Sequence, residues 1–345
     1  MNLRTEDFEY HLPEDLIAYY PSDRREDSRL LVLKRQDGTI QHTTFASVGD
    51  YLNPGDVLVV NDTKVMKARL RGHKQATGGK VEILLLRPHQ GSVWEALVSP
   101  SRRIHSGTII SVGDRFECRV VERLEGSRRL IDFGETSVFR IMEEVGEVPL
   151  PPYIRRQPCE IDLERYQTVF ARAGGSVAAP TAGLHFSEDL LKKLMGKGIR
   201  IAYLTLHVGP GTFVPVREPD PRLHRLDPEY FEISETCCKE IVEARKQGGR
   251  IVAVGTTCVR ALETAAEQAG EKIIEPRKGW TNKYILPPYD FRIVDALITN
   301  FHLPRSTLLM LVCAFATREL IMKAYREAVD LRYRFYSYGD AMLIL

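Results

Sequence analysis

Short strand-like runs at 57–60, 81–86, 93–98, 108–112, 115–120 and 129–133 crowd the stretch 56–133, with glycine, proline or aspartate between them. Runs of that length divided by turn residues build a small β-barrel or sandwich. A short helical piece over 137–144 leads to Val148-Pro149-Leu150-Pro151-Pro152-Tyr153, a stiff proline-rich joint of the kind that separates domains.

Beyond the joint the period changes to strand, loop and helix in alternation. Strands are expected over 199–206, 250–254 and 293–298, and helices over 237–246 and 259–269, the last stopped by Gly270. This alternation predicts an α/β fold in which helices cover a largely parallel sheet. A chain of 345 residues exceeds one typical core. We therefore expect an α/β domain made of 1–58 and 150–345, with a smaller all-β, barrel-like domain inserted over 59–149.

The composition, 43% hydrophobic and 27% charged, is that of a soluble globular protein. The longest apolar run, 308–316, is well short of the roughly 20 residues of a membrane span. Residues 1–8 carry no charged-then-apolar signal pattern, and the six cysteines show no C-x-x-C spacing. These features predict a cytoplasmic protein with free thiols. The net charge of +2 argues neither for nor against nucleic acid. Basic pairs at Arg102-Arg103, Arg128-Arg129, Arg155-Arg156 and Lys192-Lys193 would form a patch only if the fold gathers them.

Candidate chemistry lies in loops. Gly174-Gly175-Ser176-Val177-Ala178-Ala179-Pro180-Thr181-Ala182-Gly183-Leu184-His185-Phe186 is built of small residues that allow close backbone approach. Ser187-Glu188-Asp189 after it is a helix start, so the loop is expected to deliver His185 to a helix N-terminus. In open sheets of this class ligands collect beyond the carboxyl ends of the strands. His207-Val208-Gly209-Pro210-Gly211-Thr212-Phe213, Gly255-Thr256-Thr257 and Thr299-Asn300-Phe301-His302 each follow an expected strand, which places three loops around one cleft.

Each loop also has a plainer explanation. Gly209-Pro210-Gly211-Thr212 lacks the third glycine of a dinucleotide fingerprint and the lysine of a P-loop, so a tight turn explains it equally well. Thr256 and Thr257 could seat an anion on free N–H groups, or the second could simply cap a helix. Arg260 and Glu263 share a helix face and suit either a surface ion pair or a clamp on a zwitterionic ligand. His185, His207 and His302 lack the H-E-x-x-H pattern, paired cysteines or clustered carboxylates of a metal site, and are candidates for general bases or hydrogen-bonding ligands instead. The aromatic tail Tyr333-Arg334-Phe335-Tyr336-Ser337-Tyr338-Gly339-Asp340 is expected mostly to pack in the core.

Taken in order, Leu52-Asn53-Pro54-Gly55-Asp56, Val60-Asn61-Asp62-Thr63, Tyr166-Gln167-Thr168-Val169-Phe170, the string ending in His185-Phe186, the string from Thr205 to Phe213, Gly255-Thr256-Thr257, Leu297-Ile298-Thr299-Asn300-Phe301-His302-Leu303-Pro304 and Tyr338-Gly339-Asp340 resemble the S-adenosylmethionine:tRNA ribosyltransferase-isomerases of queuosine biosynthesis, nearly end to end. Two places depart: Asp227 stands where that pattern often has histidine, and Pro287-Pro288-Tyr289 replaces proline-glycine-tyrosine.

The resemblance implies transfer of the ribosyl part of S-adenosylmethionine to a 7-aminomethyl-7-deazaguanine at the wobble position of tRNA. Adenine and methionine leave, and the sulfonium activates the adjacent carbon, so neither a metal nor a resident cofactor is expected. Laid on these positions, it makes His185 the expected base, with His207 and His302 as second candidates. Arg260 would hold the methionine carboxylate, and Glu263 or Asp340 an ammonium or amine. Thr181, Gly183, Gly209, Gly211, Thr212, Thr256, Thr257, Thr299, Asn300 and Tyr338 complete the expected binding set. The rival classes are a non-catalytic tRNA-binding protein and a metal-dependent hydrolase.

Overall fold

The computed structural model describes residues 3–113, 115–270 and 274–345; Met1 and Asn2, which belong to the N-terminal pattern considered above, lie outside them. A hairpin of β1 (Arg29–Leu33) and β2 (Ile40–Thr44) is followed by β3 (Val57–Asn61) and the short β4 (Thr63–Val65). Six strands come next: β5 (Arg69–Lys74), β6 (Lys80–Gln90), β7 (Val93–Ser99), β8 (Ile109–Val112), β9 (Phe116–Arg123) and β10 (Arg128–Asp132). They close into an antiparallel barrel in the order β10-β7-β6-β5-β8-β9. Helix α1 (Val138–Val145) adds Val138, Ile141 and Met142 to the barrel core.

The rest of the chain supplies α2 (Glu160–Arg165), β11 (Ala173–Ser176), α3 (Glu188–Gly196), β12 (Arg200–Leu206), β13 (Glu229–Ile233), α4 (Glu235–Lys246), β14 (Ile251–Val254) and α5 (Thr256–Ala269). It ends with β15 (Arg277–Thr281), β16 (Ala296–Asn300), α6 (Thr307–Ala316), α7 (Arg318–Asp330) and β17 (Ala341–Ile344). Nine strands form one sheet in the order β15-β13-β12-β3-β14-β16-β17-β1-β2.

The α/β architecture with a barrel is as expected, but the sheet is mixed. Only its centre, β12, β3, β14 and β16, is a continuous parallel block. β13 and β15 run antiparallel along one flank; on the other, β17 is antiparallel to β16 and β1 is parallel to β17. Strands β3, β14 and β16 are buried along their whole length because both faces of the sheet are covered there. Their two-residue period sends Val57, Val59, Ile251, Ala253 and Leu297 into one core, and Leu58, Val60, Val252, Val254 and Ile298 into the other.

Two sequence expectations shift. The run 57–60 belongs whole to the central sheet, so the chain leaves that sheet after Asn61 and a boundary at 58/59 would cut β3. A buried parallel strand and a barrel strand look alike as short apolar runs. The barrel strand β5, Arg-Leu-Arg-Gly-His-Lys, has no such run; only Leu70 is buried on it. The proline-rich joint is packed: Val148, Leu150 and Ile154 share a small core with Val65, Tyr166, Ala179 and Tyr338.

Candidate active site

Because β12, β3, β14 and β16 are parallel, the loops after them emerge at one edge of the sheet. The Thr181–His185 turn lies over β16, and Ser187 caps α3, its Oγ accepting the Leu190 N–H at 3.0 Å. The loops divide between two cavities. One, of about 360 Å³, lies where the barrel meets the sheet, lined by His207, Gly209, Glu229, Tyr230 and Trp280 on the sheet side and by Arg87, Trp94, Arg128 and Phe139 on the barrel side. The other, about 30 Å³, is lined by Thr181, Thr212, Asn300, His302, Ser306 and Tyr336.

The three histidines have separate environments. His185 is buried in neither cavity; its ring stacks on Phe45 with centroids 5.0 Å apart. Asn300 Nδ2 lies 3.1 Å from the Tyr336 carbonyl, to which it donates, and 3.1 Å from His185 Nε2. Nε2 is therefore the acceptor, and Nδ1–H donates to Ser28 Oγ at 2.7 Å. Burial, helped by Arg25 and Arg334, pushes the imidazole pKa down to about 3. Both ring nitrogens of His185, the expected base, are thus engaged by partners within the protein. His302 lines the small cavity, its Nε2 2.8 Å from Thr299 Oγ1 and its pKa also lowered to about 3 by burial.

His207 alone of the three lines the large cavity. Its Nδ1 is 2.8 Å from Thr63 Oγ1, and its ring stacks on Tyr230 at 5.7 Å. Burial lowers its pKa against the opposing pull of Asp62 and Glu232, which keeps the ring neutral near pH 7. Gly175, at φ +148°, presses against this imidazole: a Cβ there would stand 2.5 Å from Nε2. The small residues of the loop thus admit backbone close to a histidine.

Glu229, which the sequence reading did not single out, organises the wall between the cavities. Its Oε1 accepts from the Gly209 N–H and from Thr212 Oγ1, each at 2.7 Å, and its Oε2 pairs with the Arg260 guanidinium. Arg260 Nε donates to the Lys283 carbonyl at 2.9 Å, while its Nη2 is buried without a hydrogen-bond partner. Nothing local in Pro-Glu-Tyr-Phe marks this glutamate, because its partners come from two other segments, the Gly209–Thr212 turn and α5.

A family model described as "Queuosine biosynthesis protein" matches residues 5–344. The chain belongs to this family. It is 49% identical to the S-adenosylmethionine:tRNA ribosyltransferase-isomerase of Pelotomaculum thermopropionicum, covering 100% of both chains. With the enzyme of the same name from Aquifex aeolicus it shares 51% identity over 99% of this chain and 100% of that one. The crystal structure of S-adenosylmethionine tRNA ribosyltransferase from Thermotoga maritima is similar at 38% identity and a TM-score of 0.57, covering 98% of this chain and 100% of that one.

In this queuosine biosynthesis protein several expected site residues have hydrogen-bond partners within the protein. Glu263 does not join Arg260; it accepts the N–H groups of Arg292, Ile293 and Val294 at 2.9–3.3 Å and the Tyr289 hydroxyl at 3.2 Å. Asp340 accepts the Arg29 and Arg334 N–H groups, both at 2.8 Å, and Tyr338 donates to Asp162 at 2.7 Å. All three are pinned because buried polar groups need partners. Gly183 packs against Phe170 and Thr168, and Gly211 faces Asp227. Gly255 is the N-cap of α5, with φ +93°, so Thr256 and Thr257 lie inside the first turn; neither caps it, and Thr257 Oγ1 meets Asn61 Nδ2 at 3.4 Å. Thr299 is engaged with His302.

Two arginines of the basic pairs are engaged within the protein. Arg129 is buried, donating to the carbonyls of Ile104, Ser101, Gly126 and Arg128. Arg156 is bidentate with Asp162 at 2.6 and 2.8 Å. Among the described residues no three His, Cys, Asp or Glu side chains are grouped to hold a metal ion, and no helix is long and apolar enough to cross a membrane.

Proposed function

We propose that this protein transfers and isomerises the ribosyl moiety of S-adenosylmethionine onto 7-aminomethyl-7-deazaguanine at the wobble position of tRNA, yielding epoxyqueuosine-tRNA, adenine and methionine. The observation that carries this is the end-to-end match, at 49 and 51% identity, to two enzymes named for that activity. S-adenosylmethionine is consumed as co-substrate and no resident cofactor takes part. The cytoplasm is its compartment, in keeping with six free cysteines.

The large cavity is the reaction site, and His207 is its base. The Thr63 hydroxyl donates to the Ala173 carbonyl, so His207 Nδ1–H donates to Thr63 Oγ1 and Nε2 keeps a lone pair on a ring that burial biases toward the neutral form. That nitrogen takes the proton from the carbon beside the sulfonium. Glu229 anchors the Gly209–Thr212 turn at the cavity wall, with Arg260 balancing its charge. The small cavity with Thr181, Asn300 and His302 lies behind that wall.

The deciding assay incubates purified protein with S-adenosylmethionine and tRNA bearing the aminomethyl-deazaguanine. Free adenine and a heavier nucleoside by mass spectrometry are expected. tRNA binding without adenine release would favour a non-catalytic binding protein, and activity abolished by a chelator would favour a metal-dependent hydrolase.

A further inference from the structure

Two large aromatic side chains stand open at the mouth of the junction cavity. Phe139, on α1 of the barrel, is 60% exposed, and Trp280, on the sheet-edge strand β15, is 51% exposed. Each is backed by a second ring: Trp94 meets Phe139 edge-on at 5.7 Å, and Tyr230 meets Trp280 edge-on at 5.9 Å. Tyr230 in turn stacks on His207, so one chain of rings runs from the mouth to the base. Both rings line the one cavity and keep exposed faces that a flat ligand can cover.

Two arginines cross the same opening from the barrel. Glu95, buried in the barrel wall, accepts from Arg87 Nε at 2.7 Å and also pairs with Arg128. Burial alone would raise the Glu95 pKa; the two guanidiniums outweigh it and hold the carboxyl below its usual value. From this anchor Arg87 reaches over the Trp280 ring, 5.1 Å from its centroid, and Arg128 reaches Asp227 at 2.5 Å. The Asp227 side chain is 49% exposed, so an incoming anion can take its place on Arg128 at little desolvation cost.

Flat aromatic faces combined with arginines at one mouth are the chemistry that holds unpaired bases of single-stranded RNA: the rings stack the base and the guanidiniums meet the phosphate. A small ligand is instead mostly enclosed by its pocket, and S-adenosylmethionine has no phosphate. We infer that Phe139 and Trp280 clamp an unpaired base of the tRNA anticodon loop, with Arg87 and Arg128 receiving its phosphate. This rests on the reaction proposed above, and it places the acceptor at the mouth and S-adenosylmethionine deeper, toward His207.

The test uses the intact protein and an anticodon stem-loop RNA carrying 2-aminopurine at successive loop positions, alongside steady-state kinetics with tRNA. Stacking should quench the fluorophore at one position in the wild type and in Trp280→Phe, and fail to do so in Trp280→Ala and Phe139→Ala. Trp280→Ala should raise KM for tRNA by about tenfold or more and leave KM for S-adenosylmethionine unchanged. Arg128→Ala should lower the slope of log affinity against log salt by about 1. A rise in KM for S-adenosylmethionine alone would assign the rings to the adenosyl group and overturn the proposal, as would unchanged quenching in both alanine variants. If the wild type releases no adenine the reaction assignment fails, while the quenching experiment still decides the clamp. Circular dichroism of Trp280→Phe and Phe139→Ala checks that the fold is kept.

Discussion

Glu229 and Arg260 form an ion pair whose side chains are only 4% and 3% exposed, and the same carboxylate holds the Gly209 N–H and the Thr212 hydroxyl. The pair therefore ties β13, α5 and the loop after β12 at the cavity wall.

Glu229→Gln leaves the Arg260 charge buried without a counter-charge, which costs about 3–5 kcal/mol. Urea unfolding at pH 7 should show that loss. Adding Arg260→Met should restore part of it, since the double variant removes both charges. A single-variant loss below about 1 kcal/mol would contradict the buried-pair assignment.

His207→Ala should abolish adenine release while the protein stays folded. His185→Ala should do the reverse, lowering the melting temperature by loss of the Phe45 stacking and of the Ser28 and Asn300 hydrogen bonds, with the reaction retained at temperatures where the variant is folded. Adenine release and thermal melts measured on the same samples separate the two outcomes. Full turnover by His207→Ala would remove it from the base role.

Acid should weaken the fold through His185 and His302. Both titrate near 3 when folded, against 6.5 for an unperturbed imidazole. Below 6.5 the unfolded chain binds protons that the folded chain refuses, so stability is fully present above 6.5 and falls as pH drops toward 3. Each histidine contributes a slope of up to about 1.4 kcal/mol per pH unit in that window. Urea midpoints at intervals from pH 7 to pH 4 should decline, and His302→Asn should flatten the decline by one histidine's share; an unchanged slope would count against burial of that ring.

Much of the architecture was legible because it is written in local patterns. The barrel strands other than β5 alternate or cluster their apolar residues, and α3, α4 and α5 carry helix periodicity within a residue or three of their observed ends. β5 escaped because one buried leucine suffices in a barrel wall, and β3 was grouped with the barrel because an apolar run does not name its partner strand. The site was less legible. His185 and His302 share the look of His207, a histidine in a strand-end loop, but His185 lines neither cavity and His302 only the small one.

By itself the sequence determined the two kinds of structure, the strand-end loops and the family to which the chain belongs, since periodicity, turn residues and long motifs are properties of neighbouring residues. Only the tertiary structure decided which polar groups face a cavity. Ser28 and Asn300, which occupy the two nitrogens of His185, are 157 and 115 residues away from it along the chain. Burial and hydrogen-bond satisfaction depend on such distant partners, and they separate a histidine that can accept a proton from one that holds the fold.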